Sequence, residues 1–260
     1  MNAPPPPLLN CLWIGARLTV LERACIRSAR RVGHEVRLWC YDEPEGVPEG
    51  VALADAADIL PRESIIRHKS GSVALFANWF RYELQRRGMG IWVDADHYFV
   101  RSIIPSGPYL LALEAPDMIN NGILRLPADS PLISELIAPF DRHQVPWWLP
   151  LRHRIGAHVR KLRTGAPGLA EMPWGSLGPK ALTAIARRHR LFHLAAAPAI
   201  YSPVPWQQAR WLTDPRRSLD EWLREETVTV HLWNEIIKGQ KEAPAAPGSF
   251  LARLQREGQH

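Results

Sequence analysis

The beginning of the chain alternates between strand-like and helix-like patterns, and this alternation restricts the fold more than any other feature. Leu8–Gly15 is a short apolar run that ends at a glycine, and His34–Asp42 alternates between apolar and polar residues. Between them, Arg17–Arg31 repeats apolar residues at helical spacing and carries arginines on much of the opposite face. A helix between two strands indicates a β-α-β unit, so the sequence predicts an α/β fold with a parallel sheet.

The remaining patterns continue this alternation. In chain order they predict a helix over Ser72–Arg87 that Gly88 stops, strands over Ile91–Val100, Tyr109–Glu114 and Met118–Leu126, a helix opened by Ser130–Pro131, a capping box of Ser218 and Glu221 at a later helix, and a strand over Thr227–Trp233. No internal repeat or linker is evident. We therefore expect one α/β domain over residues 1–260, with flexible ends at residues 1–8 and 241–260.

Charge and composition indicate which kinds of molecule the protein can bind and which cellular compartment suits it. The 260 residues carry a formal net charge of +6, which favours phosphate-rich partners such as nucleotides, nucleic acid or anionic lipid headgroups. The three cysteines, Cys11, Cys25 and Cys40, lack metal-type spacing, so we expect reduced packing residues in a cytoplasmic protein. No run approaches the roughly 20 apolar residues that cross a bilayer, and the first residues lack a signal-peptide pattern.

Two aspartates follow an apolar strand in the middle of the chain. Ile91, Trp92 and Val93 lead directly into Asp94-Ala95-Asp96. Side chains alternate along an extended strand, so the two carboxylates are predicted to point the same way. Buried carboxylates that face each other need a cation, and oxygen ligands suit Mg²⁺ or Mn²⁺, which also bind substrate phosphates. The alternative is that both aspartates are ordinary strand-end residues.

A longer motif surrounds this pair. Ala77–Leu84 reads ANWFRYEL, and Gly88–Asp96 reads GMGIWVDAD. Together they resemble the pattern S-D-x-x-R-Y-x-x-L-x-x-x-G-G-x-Y-x-D-x-D of the DXD-motif sugar transferases, which include α-1,4-galactosyltransferases, α-1,6-mannosyltransferases and glucosylating toxins. Two positions depart from that pattern, because Asn78 stands where the family has Asp and Met89–Gly90 replaces Gly-Gly.

Weaker similarities follow in the family's order. Leu12–Gly15 resembles the first-strand element that binds the nucleotide base, Asn120–Gly122 a segment near the transferred sugar, Gly178–Pro179 an acceptor-side turn, and His231–Asn234 an element that reaches the metal and diphosphate. The resemblance implies a GT-A type fold, a Rossmann-like mixed sheet flanked by helices, with Mn²⁺ or Mg²⁺ as cofactor. By residue, it implies catalytic roles for Arg81 and Asn121, donor binding by Leu12, Trp13, Asn78, Arg81, Asp94, Asn120 and Trp233, and metal ligation by Asp94, Asp96 and His231.

The activity that this resemblance implies is transfer of a hexose from a nucleotide-diphosphate sugar, with a UDP-sugar favoured, to a hydroxyl of a glycan or lipid-linked glycan. It also implies retention of the anomeric configuration, and a place in polysaccharide biosynthesis. Two alternatives stay open. Asn78 leaves room for a catalytically inactive homologue that binds sugar nucleotides. A DxD phosphatase with Asp94 as nucleophile is disfavoured, because His97–Phe99 follow the pair where such enzymes want a hydroxyl and no later strand ends in an acidic pair.

The segment His143–Arg163 is basic and begins with a Trp-Trp-Leu-Pro stretch. One interpretation is a surface that docks on an anionic membrane, at the inner face of the bilayer, to reach a lipid-linked acceptor. The other is a solvated basic helix whose Ile155, Val159 and Leu162 pack inward. Nucleic acid is not an expected partner, because no recognition motif accompanies the charge.

Overall fold

The computed structural model describes residues 6–259, so the flexibility predicted for residues 1–5 lies outside the described part of the chain. The strands are β1 (Leu9–Trp13), β2 (Val36–Cys40), β3 (Ala52–Asp55), β4 (Ile91–Val93), β5 (His97–Phe99), β6 (Leu110–Ala115), β7 (Met118–Arg125), β8 (Ala195–Ala196) and β9 (Thr229–His231). The α-helices are α1 (Val20–Arg31), α2 (Ala74–Arg86), α3 (Pro131–Asp141), α4 (Leu151–Thr164), α5 (Pro179–Arg188), α6 (Pro198–Tyr201), α7 (Asn234–Ile237) and α8 (Phe250–Gln259). Short 3₁₀ helices cover Ala56–Asp58, Arg62–Ser64, Leu169–Glu171, Phe192–Leu194, Trp206–Thr213 and Leu219–Glu221.

Seven strands form one sheet in the order β3-β2-β1-β4-β7-β6-β8, and β5 pairs with β9 in a separate small sheet. In the large sheet β7 runs antiparallel to β4 and β6, and the other neighbouring pairs are parallel. The predicted β-α-β opening is confirmed, because α1 joins β1 to β2 and Leu9 lies opposite Val36 in parallel register. This Rossmann-like mixed sheet flanked by helices confirms the α/β class.

The residues predicted to start or stop helices are confirmed in several places. The Ser130 hydroxyl accepts the Leu132 N–H at 3.3 Å at the start of α3. Gly88, with φ +65°, directly follows the last turn of α2. The predicted capping box of Ser218 and Glu221 is present, although it opens only the 3₁₀ turn Leu219–Glu221.

Aromatic packing holds α2 against the central strand β4. Trp92 is buried, its ring lies 6.1 Å from that of Phe80, and the Arg81 guanidinium lies 4.7 Å from the Trp92 ring. Burying a side chain of this size contributes about 1.5–3 kcal/mol. On the other side, Gly90 has φ +93°, and a Cβ there would lie 3.3 Å from the Leu8 carbonyl oxygen, so glycine lets β4 approach β1. These contacts hold β4 between α2 and the start of β1.

The prediction of one strand over Ile91–Val100 is wrong. β4 ends at Val93, and the His97 amide donates to the Asp94 carbonyl at 3.2 Å across a turn. His97–Phe99 then form β5, which leaves the large sheet to pair with β9. Since Asp94 and Asp96 lie in a turn, the rule of alternating side chains does not make their carboxylates parallel.

The end of the chain is also more ordered than predicted. Residues 241–260 were expected to be flexible, but Phe250–Gln259 form α8, with Phe250, Leu251 and Leu254 buried. Tyr98 of β5 packs edge-on against Phe250 at 5.3 Å. Helical spacing of these apolar residues outweighs the Ala/Pro/Gly composition that precedes them. No helix within residues 6–259 is long and apolar enough to span a membrane.

Candidate functional site

Asp94 lies at the C-terminal end of β4, in contact with α2. Its carboxylate is 3.0 Å from Nη2 of Arg81 and accepts a hydrogen bond from the Trp92 indole at 2.9 Å. Arg81 is 4% exposed and also donates to the carbonyl oxygens of Ala77 and Asn121. Because these contacts occupy most of the five guanidinium N–H groups, Arg81 fixes the positions of Asp94 and Asn121.

Asp96 lies on the other side of the turn, beside two histidines. β5 and β9 place His97 directly opposite His231, and the two rings stack with centroids 4.4 Å apart. One ligand atom from each of Asp96, His97 and His231 lies within 4.8 Å of the others. Asp96 Oδ2 is 3.3 Å from His231 Nε2 and accepts the Asn234 N–H at 3.0 Å. This cluster of one carboxylate and two imidazoles can hold a metal ion.

Two nitrogens of the cluster support that interpretation. His97 Nε2 and His231 Nδ1 are buried and have no hydrogen-bond partner among residues 6–259. His97 Nδ1 lies 3.3 Å from Thr229 Oγ1, as when a ligating histidine is oriented through its second nitrogen. A buried unpaired polar atom costs about 1–3 kcal/mol, and coordination would remove that cost. Since Mg²⁺ prefers oxygen ligands, the two imidazoles fit a transition metal better. Among the divalent transition metals, Mn²⁺ binds such a site more weakly than Fe²⁺, Co²⁺ or Zn²⁺ does.

The protonation states of His97 and Asp96 suit metal ligation, whereas the raised pKa of His231 favours the protonated form, from which a metal would have to displace a proton. Burial lowers the pKa of His97 well below its ordinary value, and the neighbouring His231 lowers it further. Burial favours a raised pKa for Asp96, but the contact with His231 outweighs it and holds the pKa of Asp96 well below its usual range. Burial disfavours the charged form of His231, yet the Asp96 charge outweighs this and raises the pKa of His231. Near neutral pH, His97 is therefore neutral and Asp96 ionised.

Gly122 of β7 keeps open the space beside this cluster. A Cβ on Gly122 would lie 2.7 Å from His97 Nε2, 2.7 Å from Asn120 Oδ1 and 3.1 Å from Asp94 Oδ2. No side chain fits at those distances, so three polar atoms converge on a space that only glycine leaves free. Asn120 Nδ2 donates to Glu114 Oε2 at 2.7 Å, and burial raises the pKa of Glu114 although this hydrogen bond opposes the rise.

A pair of hydrogen-bonded amides, Asn78 and Asn121, adjoins this space on the α2 side. Asn121 Nδ2 donates to Asn78 Oδ1 at 2.8 Å and lies 3.3 Å from the Tyr82 hydroxyl. Tyr82 donates to the Leu177 carbonyl at 3.1 Å, and a Cβ on Gly178 would lie 3.0 Å from Asn78 Nδ2. The structure thus brings Asn78 and Asn121, two residues singled out in the sequence, together beneath the loop that precedes α5.

Leu12 and Trp13, at the end of β1, are both partly buried against the hydrophobic core. β1 runs parallel to β4, so Trp13 and Asp94, which end or follow these strands, lie at the same edge of the sheet. The Trp13 Nε1 atom is buried without a hydrogen-bond partner among the described residues. Leu12 packs against one part of the hydrophobic core and Trp13 against another, so both side chains support the strand.

Trp233 covers the histidine cluster from the C-terminal side. Its ring centroid lies 3.9 Å from that of His231, and its indole donates to the Val204 carbonyl at 2.8 Å. Its φ of +54° is unusual for a bulky residue. Beyond it, Asn234 donates to the buried Glu22 carboxylate at 2.6 Å, which anchors this segment to α1.

Sequence reasoning missed His97 and Glu114, and it included Gly122 only as part of the Asn120–Gly122 segment. The position of His97 directly after Asp96 was a signal, but its role depends on pairing with His231. Glu114 and Gly122 become informative only when β6 and β7 are paired. Glu114 accepts a hydrogen bond from Asn120, and Gly122 leaves room beside His97.

Fold and site together define a Rossmann-like α/β protein with a candidate metal centre at the end of its central strand. No protein-family model matches the chain, and no curated protein matches it significantly.

Proposed function

We propose that the protein is a metal-dependent glycosyltransferase, with GT-A type architecture, that moves a hexose from a nucleotide-diphosphate sugar to a hydroxyl of a glycan or lipid-linked glycan. A UDP-sugar is the favoured donor, and retention of configuration is part of the proposal. The observation that carries it is the position of the Asp96–His97–His231 cluster near the hydrogen-bonded amides of Asn78 and Asn121 at the C-terminal end of β4. The likeness of Ala77–Asp96 to the DXD motif adds to this support.

Each residue has a distinct part in this proposal. Asp96, His97 and His231 would hold Mn²⁺, which when bound offsets the charge of the donor diphosphate. Asp94 turns Oδ2 toward the same space. Asn78 and Asn121 offer amide groups to sugar hydroxyls. Arg81 is a positioning residue, since its N–H groups are directed to Asp94 and to backbone carbonyls.

The test is release of UDP from a panel of UDP-sugars, with Mn²⁺ present and an acceptor glycan added. His97→Asn and His231→Asn each remove one ligand, and His193→Asn, at an exposed histidine, is the matched control. We expect turnover to fall about 100-fold in the first two variants, in line with losses at metal sites, and to stay at the wild-type level in the control. The anomeric configuration of the product, read by NMR, tests retention.

Other outcomes separate the alternatives. Hydrolysis of phosphate esters without turnover of nucleotide sugars would support a phosphatase, although the Asp94 carboxylate is already engaged by Arg81 and Trp92. Binding of UDP-sugars without turnover would support an inactive sugar-nucleotide-binding protein. Equal activity in wild type and His231→Asn would contradict the proposed site.

A further inference from the structure

The helix α4 presents an apolar stripe to solvent. Leu151, Ile155, Val159 and Leu162 are 69%, 55%, 41% and 88% exposed, and they recur at helical spacing on one face. Ala157, on the opposite face, is the buried residue of this helix. The prediction that Ile155, Val159 and Leu162 pack inward is therefore wrong, because the helix contacts the protein through its other face.

Basic side chains flank this stripe. The helix contains no Asp or Glu, and its Lys and Arg residues are Arg152, Arg154, Arg160, Lys161 and Arg163. At 100° per residue, Arg152 and Arg163 border the stripe on one side and Arg154 borders it on the other. Arg160 pairs with Glu171 at 2.8 Å, farther from the stripe.

We propose that α4 docks the protein on a membrane surface rich in anionic lipid. An interfacial helix places its apolar face among the acyl chains near the headgroups and its basic residues against lipid phosphates. Charge complementarity favours anionic lipid as the partner of this face, because each basic residue near an anionic membrane strengthens binding about fivefold. A nucleic acid would engage the arginines and leave the leucines in water.

The segment before α4 is hydrogen-bonded to the loop that packs against Asn78 and Asn121. Trp148, two residues before Pro150 at the start of α4, donates to the Ser176 carbonyl at 2.7 Å. The next residue, Leu177, accepts from Tyr82. The segment that leads into α4 and the residue Tyr82 of α2 therefore contact the same loop. This inference goes beyond the proposed reaction and does not depend on it.

The test is co-sedimentation of the full chain with two kinds of vesicle. One kind contains phosphatidylcholine alone, and the other contains phosphatidylcholine with about 30% of the anionic lipid phosphatidylglycerol. The stripe variant is Ile155→Asn with Leu162→Asn, and Ile104→Asn, at an isoleucine that is 80% exposed outside α4, is its matched control. The charge variant is Arg152→Gln with Arg163→Gln, against Arg101→Gln at an exposed arginine. Unchanged melting temperatures establish that each variant is folded.

We expect the protein to pellet with the anionic vesicles only, with at least tenfold weaker binding in both α4 variants and wild-type binding in both controls. Wild-type protein that stays in the supernatant would overturn the proposal, as would equal losses in Ile104→Asn. Retention of duplex RNA or DNA by the wild type without vesicle binding would overturn it in favour of nucleic acid. A dimer that Leu162→Asn dissolves, without vesicle binding, would overturn it in favour of a second copy.

Discussion

Replacing Gly122 with alanine adds one methyl group at the point where the candidate site is most crowded. The φ of Gly122 is outside the left-handed region, so alanine is acceptable to the backbone. The new Cβ would lie 2.7 Å from both His97 Nε2 and Asn120 Oδ1. Ordinary contact needs about 3.5 Å, so these atoms must retreat by about 0.8 Å.

That displacement is larger than a metal site tolerates. Ligand distances in metal centres hold to about ±0.2 Å, so His97 cannot keep its place in the cluster after such a shift. We expect Gly122→Ala to lose its Mn²⁺-dependent rise in melting temperature and about 100-fold in UDP-sugar turnover. The metal-free protein should lose only about 1–3 kcal/mol of stability, the usual cost of overpacking.

The assay is a thermal-shift titration with MnCl₂ and EDTA, followed by the UDP-release assay. Gly107→Ala is the matched control, because a Cβ at Gly107 meets no atom within 4 Å. Wild-type Mn²⁺ affinity and turnover in Gly122→Ala, with the control also normal, would refute the claim that His97 and the Gly122 space belong to the site.

Three further results are expected. After EDTA treatment, Mn²⁺ should raise the melting temperature more than Mg²⁺ does, and His231→Asn should abolish the difference; equal shifts by both ions would argue against imidazole ligation. Leu254→Ala should cost about 3 kcal/mol in urea unfolding, since Leu254 is fully buried in α8; a loss below about 1 kcal/mol would mean the helix is not docked. Burial raises the pKa of Cys11 to about 12. The folded state therefore disfavours its thiolate, and unfolding experiments should show stability falling as pH rises above about 9. The fall should be smaller in Cys11→Ala but still present, because burial also raises the pKa of Cys25 and of Cys40.

The sequence predicted elements whose signals are local. The β-α-β opening, the Ser130 cap and the strand that leads to Asp94 all depend on spacing or on single end residues, and all are present. The turn at Asp94–Asp96 was missed because HYF after it reads as a continuation of the same strand. Only the pairing of β5 with β9 shows that the chain has left the large sheet.

The orientation of α4 could not be predicted for a different reason. An amphipathic pattern specifies that a helix has an apolar face, but the same pattern suits a face packed on a core and a face directed to a lipid surface. Ile155 and Leu162 repeat as regularly as core residues do. The burial of Ala157 against the protein shows that the apolar face is directed outward. This orientation depends on tertiary packing, which the pattern does not contain.

The pairing of β5 with β9 also determines when the candidate centre comes into existence. His97 and its neighbour Thr229 are 132 residues apart in the chain, so the ligands meet only after the intervening part has folded and the loop between them has closed. A nascent chain that ends before β9 has two of the three cluster residues, Asp96 and His97, and an unpaired β5. A cation held by Asp96, His97 and His231 would therefore link the early and late parts of the chain. If a protein cleaved between them still bound the cation, its two fragments would have stayed associated.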